Sequence, residues 1–192
     1  MSQKSKNVLF QLSGSIACYK ACGLISKLVQ NGFEVQTVAT PWALEFIGRA
    51  TLEGLTGKPV FTDLFEVSRA MDHISLAKWA DLSLVCPATA STINKLAQGI
   101  AEDVIGTLFL SYDLKHKPYW VAPAMNQQMM RHPATQASLE RLESWGVRIL
   151  SPNAGHQACG DEGPGRLQEP DQMYSTVAAF FEASSSSRNF ER

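Results

Sequence analysis

The sequence predicts a doubly wound parallel α/β sheet, on three observations. Short, nearly continuous apolar runs recur along the 192 residues, as strands buried on both faces do. Segments with apolar residues at helical spacing separate those runs. Most runs end at a serine, a threonine or a proline followed by polar residues, which places turn chemistry on one edge of the sheet.

Residues 7–12 (NVLFQL) read as the first strand, and 13–17 turn into a helix reaching about Asn31. Its positions Ala17, Ala21, Leu24, Ile25 and Leu28 share a face, and Gly32 is a C-terminal stop. Residues 33–39 (FEVQTVA) form a second strand ending at Thr40-Pro41. Strand, helix and strand make a right-handed βαβ unit. One helix is expected over 43–55, broken at 57–59 (GKP), then a loop over 60–72 and a short helix over 73–79. Residues 81–86 (DLSLVC) are a third strand, closed by Pro87, followed by helices over 88–97 and 102–111. Residues 118–122 are a fourth strand, stopped by Pro123, which lacks the N–H a ladder needs. Pro133 opens a helix at its first position, with Leu139, Leu142 and Trp145 on one face. Residues 147–150 (VRIL) are a fifth strand, 151–170 a glycine-rich loop, and 171–182 a last amphipathic helix. The expected architecture is a flavodoxin-like or Rossmann-like three-layer sandwich, with one domain over 1–182 and a disordered polar tail over 183–192.

Composition narrows the functional classes. A chain that is 45% hydrophobic and 18% charged has enough apolar residues for one sizeable core. A net charge of −1 gives no reason to expect nucleic acid or an anionic membrane as partner. No apolar run nears the ~20 residues of a membrane span, and the N-terminus lacks a signal-peptide core. Four cysteines without a disulfide-like framework point to free thiols in a cytoplasmic setting. His156 and Cys159 offer two metal ligands with no C-x-x-C pair to complete a zinc site, so no metal is expected.

Three stretches on the sheet's carboxyl edge can carry chemistry. Residues 13–16 (SGSI) present hydroxyls and backbone N–H groups at a helix N-terminus, either as a plain tight turn or as a phosphate cradle. They match neither the dinucleotide fingerprint nor the P-loop. Residues 87–92 (PATAST) add three more hydroxyls. In 121–131 (VAPAMNQQMMR), Asn126 is either a helix N-cap or a neutral amide that binds a ligand. His73 opens a helix as a capping residue or as a proton-handling group, whereas His116 and His132 lie among charged residues and look solvated. The loop 158–170 holds three glycines and a proline soon after Cys159, a composition suited to a shaped flap. Cys18 and Cys22, four apart on a helix, read as core thiols.

Taken together, 13–20 (SGSIACYK), 87–94 (PATASTIN) with Asp103, 123–129 (PAMNQQM) and 158–166 (ACGDEGPGR) resemble the homo-oligomeric flavin-containing cysteine decarboxylases. Within that family they are most similar to the phosphopantothenoylcysteine decarboxylases, as in the N-terminal half of the bacterial bifunctional coenzyme A biosynthesis protein. The resemblance covers roughly 6–182, and Met130 departs from it where many relatives have tryptophan.

The resemblance implies FMN as cofactor, held by Gly14, Ser15 and Ile16, by Thr40, by Pro87, Ala88, Thr89 and Ser91, and by Asp103. It implies His73, Asn126 and Cys159 as catalytic residues, with Ala124, Met125, Asn126 and Arg166 at the substrate. The substrate would be 4′-phosphopantothenoylcysteine and the product 4′-phosphopantetheine. Oxidation of the substrate thiol, with hydride passing to FMN, creates a C=S group that accepts the electrons left by carbon dioxide. Cys159 then protonates the ene-thiolate as hydride returns. A homotrimer, or a dodecamer built of trimers, is implied, as is a separate phosphopantothenoylcysteine synthetase unless the chain is one domain of a bifunctional protein. The alternatives are a peptidyl-cysteine decarboxylase, a flavin prenyltransferase and a non-catalytic FMN-binding regulatory subunit.

Overall fold

The computed structural model describes residues 6–64, 71–156, 160 and 162–189. Five parallel strands, β1 (Lys6–Leu12), β2 (Phe33–Ala39), β3 (Leu82–Ala88), β4 (Tyr119–Pro123) and β5 (Arg148–Ile149), form one sheet in the order β2-β1-β3-β4-β5. That is the flavodoxin-like order, in which the direction of winding reverses between β1 and β3.

The helices α1 (Cys18–Gln30), α2 (Pro41–Leu44), α3 (Arg49–Thr56) and α9 (Pro170–Asn189) cover one face of the sheet. On the other lie α4 (Asp72–Trp79), α5 (Ala90–Gln98), α6 (Val104–Leu110) and α8 (Pro133–Ser144). The short α7 (Gln127–Arg131) follows β4. Alternate residues of each strand feed the two cores. Phe10 and Leu84 enter the first, with Leu24 and Leu28 of α1; Leu9 and Val85 enter the second, with Ile93 of α5 and Leu108 of α6. Each such fully buried side chain contributes about 1.5–3 kcal/mol. The Phe33 ring meets Phe181 edge-on at 5.3 Å and Tyr174 at 6.4 Å, which clamps α9 to β2.

The structure departs from the sequence expectations in four places. The helix expected over 43–55 is split in two. Thr40 Oγ1 accepts from Ala43 N at 3.2 Å and starts α2 with Pro41 at its first position, and an extended Gly48 then caps α3 separately. Pro87 does not close its strand but lies within β3, whereas Pro123 is the last residue of β4. The β3–β4 register shifts between Val85 and Ala88, and such an irregularity admits a residue without an N–H. Part of the glycine-rich loop is an antiparallel hairpin, β6 (Asn153–His156) with β7 (Glu162–Arg166). Lastly, α9 runs seven residues past Glu182, over positions expected to be a disordered tail. Residues 183–189 contain no glycine or proline to stop a helix.

Candidate active site

The sheet's carboxyl edge between β1 and β3 is built around Ser13. Its buried hydroxyl donates to the Pro87 carbonyl at 2.8 Å and accepts from Thr89 N at 2.9 Å. The Ser13 N–H also donates to Pro87 O at 3.2 Å. The loops after the two strands are thus joined by three bonds at the winding switch point. The next residue has to be glycine, because a Cβ on Gly14 would stand 2.5 Å from Cβ of Trp42 and 3.0 Å from its carbonyl.

Several hydroxyls expected at the cofactor have local duties. Ser15 Oγ accepts from Ala17 N at 3.2 Å, and Thr89 Oγ1 caps α5 by accepting from Thr92 N at 3.2 Å. Thr40 caps α2, and Asp103 caps α6 by accepting from Gly106 N at 2.9 Å. Ser91 is exposed on the first turn of α5. The backbone donors are less committed. The N–H groups of Gly14, Ser15 and Ile16 donate to no acceptor among the described residues. Those of Ala90 and Ser91 open α5, where a helix has no internal partner for them. Two sets of free donors around one switch point suit a phosphorylated ring cofactor, so the residues present fit a flavin nucleotide.

The β4 end adjoins this edge, since Ala124 N donates to Ala88 O at 2.9 Å. Asn126 caps α7 through Oδ1, which accepts from Met129 N at 2.9 Å. The cap engages only the oxygen, and the amide NH2 remains a donor. Met125 N donates to Gly165 O at 3.0 Å, docking the hairpin on the same loop. Arg166, on β7, donates to Glu169 Oε1 at 2.7 Å. The same oxygen accepts from buried Lys20 Nζ of α1 at 2.7 Å. The Lys20 hydrogen bond, ahead of the Arg166 charge, holds the Glu169 carboxyl below the usual glutamate range.

His73 lies in the first turn of α4, with its Nδ1 buried and without a hydrogen-bond partner. That helix packs on α6 and β1, while α7 packs on α8 and β7, and no hydrogen bond joins His73 to Asn126. The cofactor loops and Asn126 therefore come together within one chain, and His73 stands on a separate element. Cys159 lies outside the described residues. The remaining thiols are unsuited to reaction. Burial pushes up Cys18 and, most of all, Cys86, and raises Cys22 to about 11. His116 is exposed and pairs with Asp113, and His132 caps α8 through Nδ1.

A cavity of about 260 Å³ between α5 and α8, lined by Asn94, Gln98, Ala134, Ala137, Ser138 and Arg141, includes none of the candidate residues. No group of side chains suited to a metal occurs among the described residues. Sequence reasoning missed Lys20 and Glu169. The signal for Lys20 was its place three residues after Ala17, on the apolar face of α1.

Comparison with known proteins fits this geometry. The profile of the family described as Flavoprotein matches residues 1–182. The chain belongs to the flavoprotein family. Among its relatives, the coenzyme A biosynthesis bifunctional protein CoaBC of Vibrio vulnificus (strain YJ016) is 45% identical over 179 residues, 92% of this chain and 44% of that protein. The chain thus spans under half the length of the curated relatives it matches. Two solved flavoprotein structures share the three-layer fold. One is a mutant PPC decarboxylase complexed with pantothenoylaminoethenethiol, with a TM-score of 0.82 and 30% identity over 93% of this chain and 100% of the other. The second is the FMN-binding protein AtHal3, with a TM-score of 0.79 and 30% identity over 94% and 98%. Among the described residues no helix is long and apolar enough to cross a membrane.

Proposed function

We propose that this flavoprotein decarboxylates 4′-phospho-N-pantothenoylcysteine to 4′-phosphopantetheine with FMN as cofactor, as a step of coenzyme A biosynthesis. Residues 1–182 would form a single decarboxylase domain, the span of the family match. Similarity to CoaBC and to the PPC decarboxylase supports the substrate. One feature of geometry carries the reading: Asn126 leaves its amide NH2 free at the end of β4, beside the donor-rich loops after β1 and β3.

Bound FMN would supply a hydride acceptor and donor, chemistry that amino-acid side chains lack. The free N–H groups of Gly14, Ser15 and Ile16, the loop from Pro87 to Ser91, Thr40 and Asp103 would hold it, the N–H groups being suited to its phosphate. Asn126 donates to the substrate carboxylate without adding positive charge, so it orients that group while leaving it ready to depart as carbon dioxide. Ala124 and Met125 line the same loop. Cys159 supplies a proton in the reductive half, His73 is a polar group at the reacting centre, and Arg166 meets the substrate phosphate by exchanging its Glu169 contact for it. The protein would act as a trimer, alone or within a dodecamer built of trimers, with neighbouring subunits completing the site. A phosphopantothenoylcysteine synthetase, fused or separate, would supply the substrate. Three free cysteines among the described residues are consistent with a cytoplasmic setting.

The test is incubation of the FMN-loaded protein with 4′-phosphopantothenoylcysteine, followed by detection of carbon dioxide and of 4′-phosphopantetheine by mass. Turnover of a peptide ending in cysteine, with none of the phosphopantothenoyl substrate, would overturn the substrate assignment. A colourless protein that ignores added FMN would overturn the reading as a whole.

A further inference from the structure

We propose that Trp42 selects the phosphorylated flavin, its indole N–H donating to the cofactor phosphate beside the turn over 13–16. The inference rests on the flavin of the proposed function and not on its substrate.

Trp42 follows Pro41 in the first turn of α2, and that turn is secured by its neighbours. Thr40 Oγ1 caps it, Ala43 is fully buried, and Leu44 packs against the first core. The Trp42 side chain is instead 75% exposed, more than any other large apolar side chain among the described residues. Tryptophan is ordinarily well buried, because its rings carry a large apolar area. Its Nε1–H can only donate, and here it reaches no acceptor among the described residues.

Position supplies the partner. A Cβ on Gly14 would stand 2.5 Å from Cβ of Trp42 and 3.0 Å from its carbonyl oxygen, so Trp42 lies directly against the cofactor turn. That turn carries the N–H groups of Gly14, Ser15 and Ile16, which are likewise without acceptors among the described residues. Ile16 is itself 58% exposed, so two apolar side chains border one set of free donors. Exposed apolar groups beside convergent donors are the mark of a ligand groove. A phosphate on those N–H groups lies within one side chain's length of the Trp42 backbone. The indole then adds a further donor and shields the anion from water, where a bond to a charged oxygen is stronger than one to a neutral group. Riboflavin lacks the phosphate and gains nothing from this donor.

The test is titration of the flavin-free full chain with FMN and with riboflavin, followed by flavin fluorescence. Trp42→Phe keeps an aromatic ring and removes the donor; Trp42→Ala keeps only the Cβ that meets Gly14. Both leave the contact with the turn in place. Trp42→Phe should bind FMN about tenfold more weakly, with riboflavin affinity within about twofold of wild type. The phosphorus NMR resonance of bound FMN should move as well. Trp42→Ala should lower the preference for FMN over riboflavin by a similar factor, and it serves if the first variant does not fold. A folded variant whose preference matches wild type overturns the inference, including one whose sedimentation changes, since the indole would then serve a subunit contact. Failure of both variants to fold would assign the indole to the fold and overturn it too. Wild-type protein that binds FMN yet releases no carbon dioxide overturns the decarboxylase reading alone, and the flavin preference still decides the role of Trp42.

Discussion

The backbone N–H of Met125 donates to the carbonyl of Gly165 at 3.0 Å, fastening the β6–β7 hairpin to the end of β4. This bond joins the segment that contains Asn126 to the hairpin whose two strands flank Cys159 in sequence. Approach is close enough that a Cβ on Gly163 would collide with the Gln127 side chain. A second tether runs from Lys20 on α1 through Glu169 to Arg166 on β7. The hairpin is held at both sides, by one backbone bond and one shared carboxylate.

The shared carboxylate makes the second tether sensitive to acid. The Glu169 carboxyl sits below its ordinary value in the folded protein, first through the Lys20 hydrogen bond. A depressed carboxyl adds stability that is complete above the unfolded value of about 4.3 and is lost as pH falls through the lower folded value. With Glu169 nearly half exposed, each contact is worth under ~1 kcal/mol. Glu169→Gln should therefore leave global stability almost unchanged while speeding amide exchange at Met125 at neutral pH. Wild type should approach the variant's exchange only below about pH 4, after correction for intrinsic rates. Equal exchange in the two proteins at neutral pH would show that Glu169 does not hold the hairpin.

Asn126 has two separable tasks. Its oxygen caps α7 by accepting from Met129 N, and its NH2 is the donor assigned to the substrate carboxylate. Asp accepts as well as Asn at an N-cap, so Asn126→Asp should unfold within about 0.5 kcal/mol of wild type. It should nonetheless lose turnover, because a carboxylate replaces a donor and faces a like charge. Asn126→Ala should lose both, with about 1 kcal/mol of stability gone. Wild-type rates in Asn126→Asp would return the residue to capping alone.

How far the site was legible in the sequence follows from what each residue does to its neighbours. The five sheet strands and their carboxyl edge could be read because buried parallel strands leave apolar runs, as at 7–12, while 33–39 showed as an alternating strand. The hairpin could not. Residues 162–166 (EGPGR) hold their place by backbone pairing to 153–156, with little apolar alternation to announce a strand. The break after Leu44 was hidden too, since 45–47 (EFI) suit a helix and only Gly48 marks the restart. Glu169 acts on Lys20, which is far away in sequence, so the pair forms no motif. Asn126 was found through its motif, but only the structure separates its cap from its free amide.

Gly14 gives a test of the cofactor loop independent of catalysis. A methyl group there would meet Trp42 Cβ at 2.5 Å and that residue's backbone at 3.0 Å. The backbone cannot yield as a flexible side chain would, so Gly14→Ala should displace the 13–16 turn at about 1–3 kcal/mol of stability. The displaced N–H groups should weaken FMN binding by roughly tenfold or more, measured by flavin fluorescence quenching. An unchanged FMN affinity would mean that these N–H groups do not hold the phosphate.

The thiols offer the last test. Cys18 and Cys86 are buried with their thiols pushed up, and half-buried Cys22 is raised to about 11. The thiolate is the form that alkylates, so at pH 8 far fewer than one in a hundred Cys22 side chains should be reactive. Iodoacetamide in modest excess should then label one site quickly, and peptide mapping should place that label on Cys159. Substrate should slow the labelling if Cys159 meets the reacting carbon. Cys159→Ser should lose the fast label and still release carbon dioxide, while the oxidised ene-thiol product accumulates in place of 4′-phosphopantetheine. Normal 4′-phosphopantetheine output from Cys159→Ser would remove this residue from proton delivery and leave that step to another group.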